Sequence, residues 1–276
     1  DLGEDSSGND NDFTANNFST TAGAGNDVLA DSPSTYDDSG NGVGNYATLN
    51  PLNTGSNLTL SNGNLNAAQG AGNYGSSMST IGVSSGKWYC EMTLVNDKFG
   101  FGVGTGDTDM SSWLGQTSTD WVWRKDGSGN NGRHNAVDVS YTHSTSTDDV
   151  IGLMLDLSGS QGILKYSVNG VDKGAMVSDI PIGPTYFITC GDDTSTGDAD
   201  FHLNFGQRTF DNLPTGFKAL NTFNLDTPLI PKPSAHFDVK LYDGTGSSQA
   251  ITMANEDLAP DFVWIKKRSG GTARVH

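Results

Sequence analysis

The stretch Asp149–Gly170, "DVIGLMLDLSGSQGILKYSVNG", decides how the chain is read. Ile151, Leu153, Leu155 and Leu157 fall on one side at a period of two, with Val150, Gly152, Met154 and Asp156 on the other. That spacing predicts a strand with one strongly buried face. "SGSQG" follows, a turn cluster of Ser and Gly. Ile163 to Val168 then predicts a second strand, with Leu164, Tyr166 and Val168 on one face, and the two most simply pair as an antiparallel hairpin. Asn169-Gly170 favours the positive φ angles of a type I′ turn, so Val171 to Lys173 runs back again. The stretch reads as a β-meander with no nucleophile, metal cluster or phosphate loop. By itself it is scaffold.

Composition extends this reading to the whole chain. The 276 residues, 36 of them Gly, suit many tight turns and few helices, and allow one large or two modest domains. No long segment carries a clean helical period, and short strands separated by turn signals predict an all-β antiparallel sandwich. A formal charge of −17 argues against nucleic acid and against an anionic membrane surface as partners, because phosphates would be repelled. The acidic bias is uneven: no Lys or Arg precedes Lys87, whereas "IKKRSGGTARVH" at the end is locally basic, which predicts separate modules. Cys90 and Cys190 sit inside apparent strands, and buried free thiols are preferred to a disulfide. No segment resembles a transmembrane helix or a signal peptide. The start at Asp1 and the stop just after "DFVWIKKR" are what a piece of a longer polypeptide, or proteolysis, would give.

Four regions follow along the chain. Residues 1–50 are acidic, Gly- and Asn-rich and weakly patterned, and predict an extended segment laid over another surface. Residues 51–212 hold the strand signals: "SNLTLSNGNLNAAQG", "GKWYCEMTLV", "KFGFGVGT", "DWVWRKDG", the opening hairpin, "TYFITCGD" and "DFHLNFGQ". That is a single sandwich's worth of strands. Residues 213–235 carry Pro214, Pro228, Pro231 and Pro233 and predict a linker, with a short helical turn possible around Phe217 to Leu220. Residues 236–276 begin a further β module, with a strand, a Gly-rich turn and a strand in "FDVKLYDGTGSSQAITM", then "APDFVWIKKR".

These strands carry a family resemblance. Gly86 to Glu91, "GKWYCE", resembles the early "GKWYWEV"-type strand of SPRY domains, and Phe101 to Gly104 resembles their "GWGV" strand. Asp149 to Gly152 with Leu155-Asp156 is similar to their "GDVIGVLLD" strand, Tyr166 to Gly170 to their "FSLNG" turn, and Leu203 to Gly206 to their closing "LNFG". The order is the family's over Gly86 to Gly206. The resemblance implies a SPRY-type, concanavalin A-like jelly-roll sandwich. The flanks resemble other proteins: "DSSGNDNDFTANNFSTTAGAGNDVLADSP" and "FDVKLYDGTGSSQAI…PDFVWIKKRSG" are similar to modules in tail and fibre proteins of marine bacteriophages. This implies a non-enzymatic virion structural protein, a tail fibre or appendage, located in the virion and homotrimeric. Its partners would be other copies of itself, other virion proteins and a host-surface glycan or protein, with no nucleic acid and no membrane insertion. A bacterial cell-surface adhesin or lectin of the same fold is the alternative.

Candidate sites are few. His134, His143, His202, His236 and His276 show no metal spacing, and "GFGVGTG" lacks the Lys-Ser/Thr ending of a phosphate loop. "DSSGNDND" lacks the order of an EF-hand loop, and Asp192-Asp193 with Asp198 and Asp200 is a second weak cation candidate. No cofactor, metal or catalytic constellation is expected. A glycosidase would need two carboxylates across a groove, and Glu4, Glu91 and Glu256 lie in different modules. The connection from Met110 to Ser146 is long and rich in side-chain chemistry, the kind of segment that carries recognition on a rigid scaffold. Trp113, Arg124, Asp126, Asn130 and Arg133 are therefore the expected ligand-binding residues, with Asn131 and His134 nearby. Trp113 and Arg133 are expected to be solvent-accessible at one end of the sandwich, near each other or near a neighbouring subunit. Trp121 and Trp123 read as core or sheet-face residues, or as further ring-stacking groups.

Overall fold

The computed structural model describes residues 45–70, 74–125, 129–191, 199–226, 236–253, 260–266 and 274–275. The chain divides into two compact units, Asp1–Leu225 and Asp226–His276. In the first unit the strands are β1 (Leu49–Thr54), β2 (Leu58–Ser61), β3 (Asn66–Gln69), β4 (Ser76–Val83), β5 (Lys87–Leu94), β6 (Phe99–Thr105), β7 (Asp120–Lys125) and β8 (Asn130–His134). They continue as β9 (Val137–Val139), β10 (Val150–Asp156), β11 (Gly162–Val168), β12 (Val171–Ile180), β13 (Tyr186–Gly191), β14 (Asp200–Asn204) and β15 (Lys218–Ala219). No α-helix occurs among the described residues.

Two sheets result. One runs β1-β4-β13-β6-β7-β8-β9; the other runs β12-β11-β10-β5-β14-β3-β2, with β15 added parallel to β5. The opening hairpin forms in the expected register, Leu153 opposite Tyr166 and Leu155 opposite Leu164. Asn169 and Gly170 take φ of 50° and 77°, and β12 continues the meander well beyond Lys173, to Ile180. Beside the hairpin, β5 sets Cys90 against Leu153 and Trp88 against Leu155, so alternate residues of three adjacent strands share one apolar face.

That face meets its counterpart on the other sheet. Met92, Leu153, Tyr166 and Phe201 join Phe101, Trp123, Tyr186 and Ile188 in one buried cluster, which makes the first unit an antiparallel β-sandwich. Tyr166 ties the sheets together in a specific way. It is fully buried, donates its hydroxyl to the Phe101 carbonyl at 2.5 Å and accepts the Trp123 N–H at 3.3 Å. A phenol oxygen inside an apolar core needs such partners, and the pair it joins, Phe101 and Trp123, face each other across β6 and β7. Cys90 and Cys190 are free and buried, and desolvation pushes both thiols well above their ordinary range.

Each sheet's outer face is covered by a strap of irregular chain. Residues 106–119 lie over the first sheet, where Met110 and Leu114 bury against Met78, Val122 and Phe187. Residues 205–213 lie over the second, where Phe210 packs edge-on against Tyr89 with ring centroids 5.0 Å apart. The outward positions of β6 are glycines, and two of them are closely approached, Gly102 by the neighbouring β7 and Gly104 by the strap. A Cβ on Gly102 would lie 2.0 Å from the Trp121 carbonyl oxygen, and one on Gly104 2.6 Å from the Thr108 hydroxyl.

Two sequence expectations change here. Residues 213–235 do not begin as a linker: Lys218 and Ala219 pair with Trp88 and Tyr89, and Leu220 is 1% exposed in the core. No helical turn forms at Phe217–Leu220; Leu220 is apolar enough to be drawn into the sandwich, and Pro214 lies upstream of the pairing. The strand–turn–strand expected in 237–253 is also absent from the described residues of the second unit. Phe237, Val239 and Leu241 are exposed there, and two strands with no layer to bury against are marginal in water. That unit's described ladder is short, β16 (Trp264–Ile265) against β17 (Arg274–Val275). Of the segment expected to be extended over 1–50, residues 1–44 with "DSSGNDND" lie outside the described residues, as do Asp192-Asp193 and Asp198, whereas Leu49 and Asn50 already belong to β1.

Candidate binding face

The strap 106–119 is fastened to the first sheet along its length. Asp109 accepts the Ser111 N–H at 2.9 Å and also its hydroxyl, closing a local turn. Met110 offers its carbonyl to the Ser76 N–H at 3.1 Å, anchoring the strap to β4. Its far end is held by Asp120, which is 1% exposed. The Asp120 carboxylate accepts the Gly115 N–H and, at 3.1 Å, the Thr117 hydroxyl. Burial raises this carboxyl above its usual range, while the Gly115 and Thr117 donors pull it back. Gly115 has a φ of +83°, and a Cβ there would meet the Arg133 Cβ at 2.8 Å, so the strap passes close over β8. The Asn135 and Ala136 N–H groups of the β8–β9 turn donate to the Thr117 and Gly115 carbonyls, both at 2.9 Å.

This fastening sets Trp113 onto Arg133, whose guanidinium carbon lies 4.2 Å from the indole centroid. Both are half-buried, and Arg133 also approaches Asp138 at 3.6 Å. Arg124 lies on the same outer face but is buried. Its Nε donates to Asn131 at 3.1 Å and its Nη2 reaches Asp138 at 3.9 Å, so Asp138 links the two arginines.

The sequence-predicted residues therefore separate. Trp113 and Arg133 meet, and Arg124 is buried on the same face, joined to Arg133 through Asp138. Asn130 belongs to the opposite face. Its side-chain oxygen accepts the Trp123 indole N–H at 3.0 Å and its amide nitrogen donates to the His143 carbonyl at 2.7 Å. Period two explains the split: odd and even positions of β8 point to opposite sides of the sheet. His134 is on the Asn130 side, its ring stacked on Trp121 at 4.3 Å. Trp121 and Trp123 are core residues. Asp126 lies outside the described residues. The stretch Met110 to Ser146 is not one loop: its middle is β7, β8 and β9, and Trp113 and Arg133 sit on the sheet's outer face beside the β8–β9 turn.

The strap's other side contributes to an open cavity of about 530 Å³, lined by Thr105, Asp107, Thr119 and Trp121 and, from the β12–β13 connection, Pro181 and Thr185. Aromatic surface, hydroxyls and one carboxylate meet there, a composition suited to a polar ligand with an apolar side. Among the described residues no group of three or more His, Cys, Asp or Glu has the geometry to hold a metal ion. Asp120, the residue that organises the whole face, was missed by sequence reasoning. The signal was an acidic residue opening the apolar run "DWVW".

No protein-family model and no curated protein matches the sequence. Similar solved structures do exist. The SPRY domain of human HERC1 is 18% identical over 56% of this chain and 96% of its own, with a TM-score of 0.48. The TRIM65 PSpry domain is 12% identical over 58% and 89%, with a TM-score of 0.47. The stonustoxin structure is 14% identical over 57% of this chain but 28% of its own, with a TM-score of 0.49. The two-sheet architecture stands on the register and packing of this chain's own strands.

Because Asp120 fastens the strap at Gly115 and Thr117, Asp120→Ala is expected to free the 106–119 segment before the sandwich unfolds. The cost is about 1–3 kcal/mol for the donors left without an acceptor. Hydrogen exchange checks this: the Gly115, Asn135 and Ala136 amides should lose protection while β10 and β11 keep theirs. Uniform loss across the domain would mean that the strap and the sheets open as one unit.

Proposed function

We propose that the sandwich is a non-catalytic binding and assembly module of a virion structural protein, of the phage tail-fibre or appendage kind, that engages a host-surface glycan or protein. The observation that carries the binding part is the Trp113–Arg133 stack. It is an aromatic ring carried by the pinned strap and a guanidinium carried by β8, both held half-exposed on a rigid sheet. Pre-organised aromatic and Arg side chains lose little conformational freedom on binding and are enriched at recognition surfaces. The non-catalytic part is supported by the two buried carboxylates. Asp120 and Glu91 lie under straps on opposite outer faces of the sandwich, and each is engaged by backbone N–H donors rather than facing a groove. The virion setting is supported by the resemblance of the flanking segments, and with it comes a homotrimeric assembly.

The test is a double variant, Trp113→Ala with Arg133→Ala, compared with the unaltered chain for attachment to host cells. Attachment should fall while the domain stays folded, since surface changes usually cost within about 0.5 kcal/mol. Normal attachment by the folded double variant would make this face scaffold. Light scattering on the full-length protein should show trimers, and monomers alone would count against the fibre setting.

A further inference from the structure

On the other sheet, away from the Trp113 face, the segment after β14 borders a second open cavity of about 350 Å³. Tyr46, Arg208, Phe210, Phe217, Lys218 and Asn221 line it. Three polar groups there share one property. The Arg208 Nε is buried and has no hydrogen-bond partner. Among the described residues, neither the Arg208 guanidinium nor the Lys218 ammonium finds an acceptor or a carboxylate. Asn221, 1% exposed, accepts the Asn224 N–H on its side-chain oxygen at 2.9 Å, and its amide nitrogen has no acceptor among the described residues. Arg208, Lys218 and Asn221 thus line this cavity with donors that have no acceptor among the described residues, in a chain whose formal charge is −17. A buried N–H without an acceptor is costly, and acidic side chains are plentiful enough that pairing could have been local.

The walls narrow the ligand further. Phe210 is fixed edge-on against Tyr89, and Phe217 has the Lys87 ammonium 5.9 Å from its ring centroid. With Tyr46 they present aromatic surface beside the cations. A cation would be repelled, and a neutral ligand would leave the charges uncompensated. A planar carboxylate matches the paired N–H edge of a guanidinium, and the C–H face of a sugar ring packs flat on aromatic carbon. A cavity of this volume is at the small end of ligand sites, the size for one sugar unit.

We infer that this cavity is a binding site for a carboxylate-bearing sugar unit, with Arg208 holding the carboxylate, Lys218 adding charge and the aromatic rings holding the ring face. The inference does not depend on the Trp113–Arg133 face or on the virion setting. It is tested by titrating the full chain with glucuronate, glucose, N-acetyl-aspartate amide and inorganic phosphate, followed by ligand-observed NMR. Glucuronate should bind at least about tenfold more tightly than the other three, a factor of ten being about 1.4 kcal/mol. Arg208→Gln and, separately, Lys218→Gln should each remove most of that preference, whereas Trp113→Ala should leave it intact. If Arg208→Gln does not fold, the exposed Lys218→Gln decides alone. Equal binding of glucose, equal binding of phosphate or the aspartate derivative, no binding of glucuronate, or an unchanged preference in the folded variants would overturn the assignment.

Discussion

Replacing Trp123 with alanine is expected to destabilise the sandwich by about 3–5 kcal/mol, the range for truncating a fully buried aromatic residue. Trp123 is 0% exposed and stands where the two sheets and the β9–β10 connection meet. Its ring packs edge-on against Phe99 at 5.1 Å and against Tyr141 and Tyr166, both at 5.4 Å. These neighbours cannot collapse into the void, because Tyr166 is held by Phe101 and the Tyr141 hydroxyl donates to the Gly174 carbonyl at 3.1 Å. The substitution also leaves the Asn130 side-chain oxygen without the indole N–H. For a domain of this size each kcal/mol lowers the melting midpoint by about 2–4 °C. Thermal or urea denaturation measures it directly. A midpoint within about a degree of the parent would mean that the core repacks freely, which interiors at crystal-like density seldom do. Trp113→Ala, made in parallel, should shift the midpoint far less, although both residues are tryptophans in the same short stretch.

That contrast marks what the sequence makes legible. Strands with strict alternation, such as Ile151 to Leu157, announce both their existence and their buried face, because period two is a property of the backbone itself. The Asn-Gly turns at Asn62-Gly63 and Asn169-Gly170 are equally plain, and all four residues take positive φ. The straps are not legible. Nothing in "GDTDMSSWLGQTSTD" says that Met110 and Leu114 will cover Val122, since that contact depends on two strands bringing Met78 and Phe187 to the same place. The same limit applies to sites. Trp113 and Arg133 could be named from chemistry, but Asn130 was grouped with them because a loop was assumed where β8 runs. Once the residues are strand, alternation sends Asn130 to the far side. Arg208 and Lys218 were invisible for another reason: they lie ten residues apart in what read as a domain end and a linker, and β15 pairing with β5 brings them to one cavity.

Glu91 should respond to substitution nearly as strongly as Trp123, and in a pH-dependent way. It is 2% exposed, in the middle of β5, and faces outward under the strap 205–213. Four donors converge on its carboxylate. Tyr89 Oη at 3.1 Å and the Asn212 N–H at 2.8 Å reach Oε1; the Asp211 N–H at 3.1 Å and the Asn204 amide at 3.4 Å reach Oε2. One side chain therefore fastens a strap that is 120 residues away in sequence. Glu91→Ala deprives all four donors at once and is expected to cost at least about 3 kcal/mol, at about 1–3 kcal/mol for each buried group left unsatisfied. Loss of protection at Asp211 and Asn212 in hydrogen exchange would localise the damage. Burial raises the Glu91 carboxyl above its ordinary range, more than the Asn212, Asp211 and Tyr89 donors lower it. A carboxyl raised in the folded state binds its proton more tightly there than in the unfolded chain. Its contribution to stability is therefore fully present below the unfolded value, about 4.3, and is lost as pH rises through the folded value. Glu91→Gln removes the titration but turns an N–H₂ towards donors, so it should be less stable than the parent at acidic pH, with the deficit narrowing as pH rises into the neutral range. Denaturation curves for the parent and Glu91→Gln at matched pH values measure that difference. A deficit that widens with pH would mean that the four donors outweigh burial and that Glu91 fastens the strap as a stable anion.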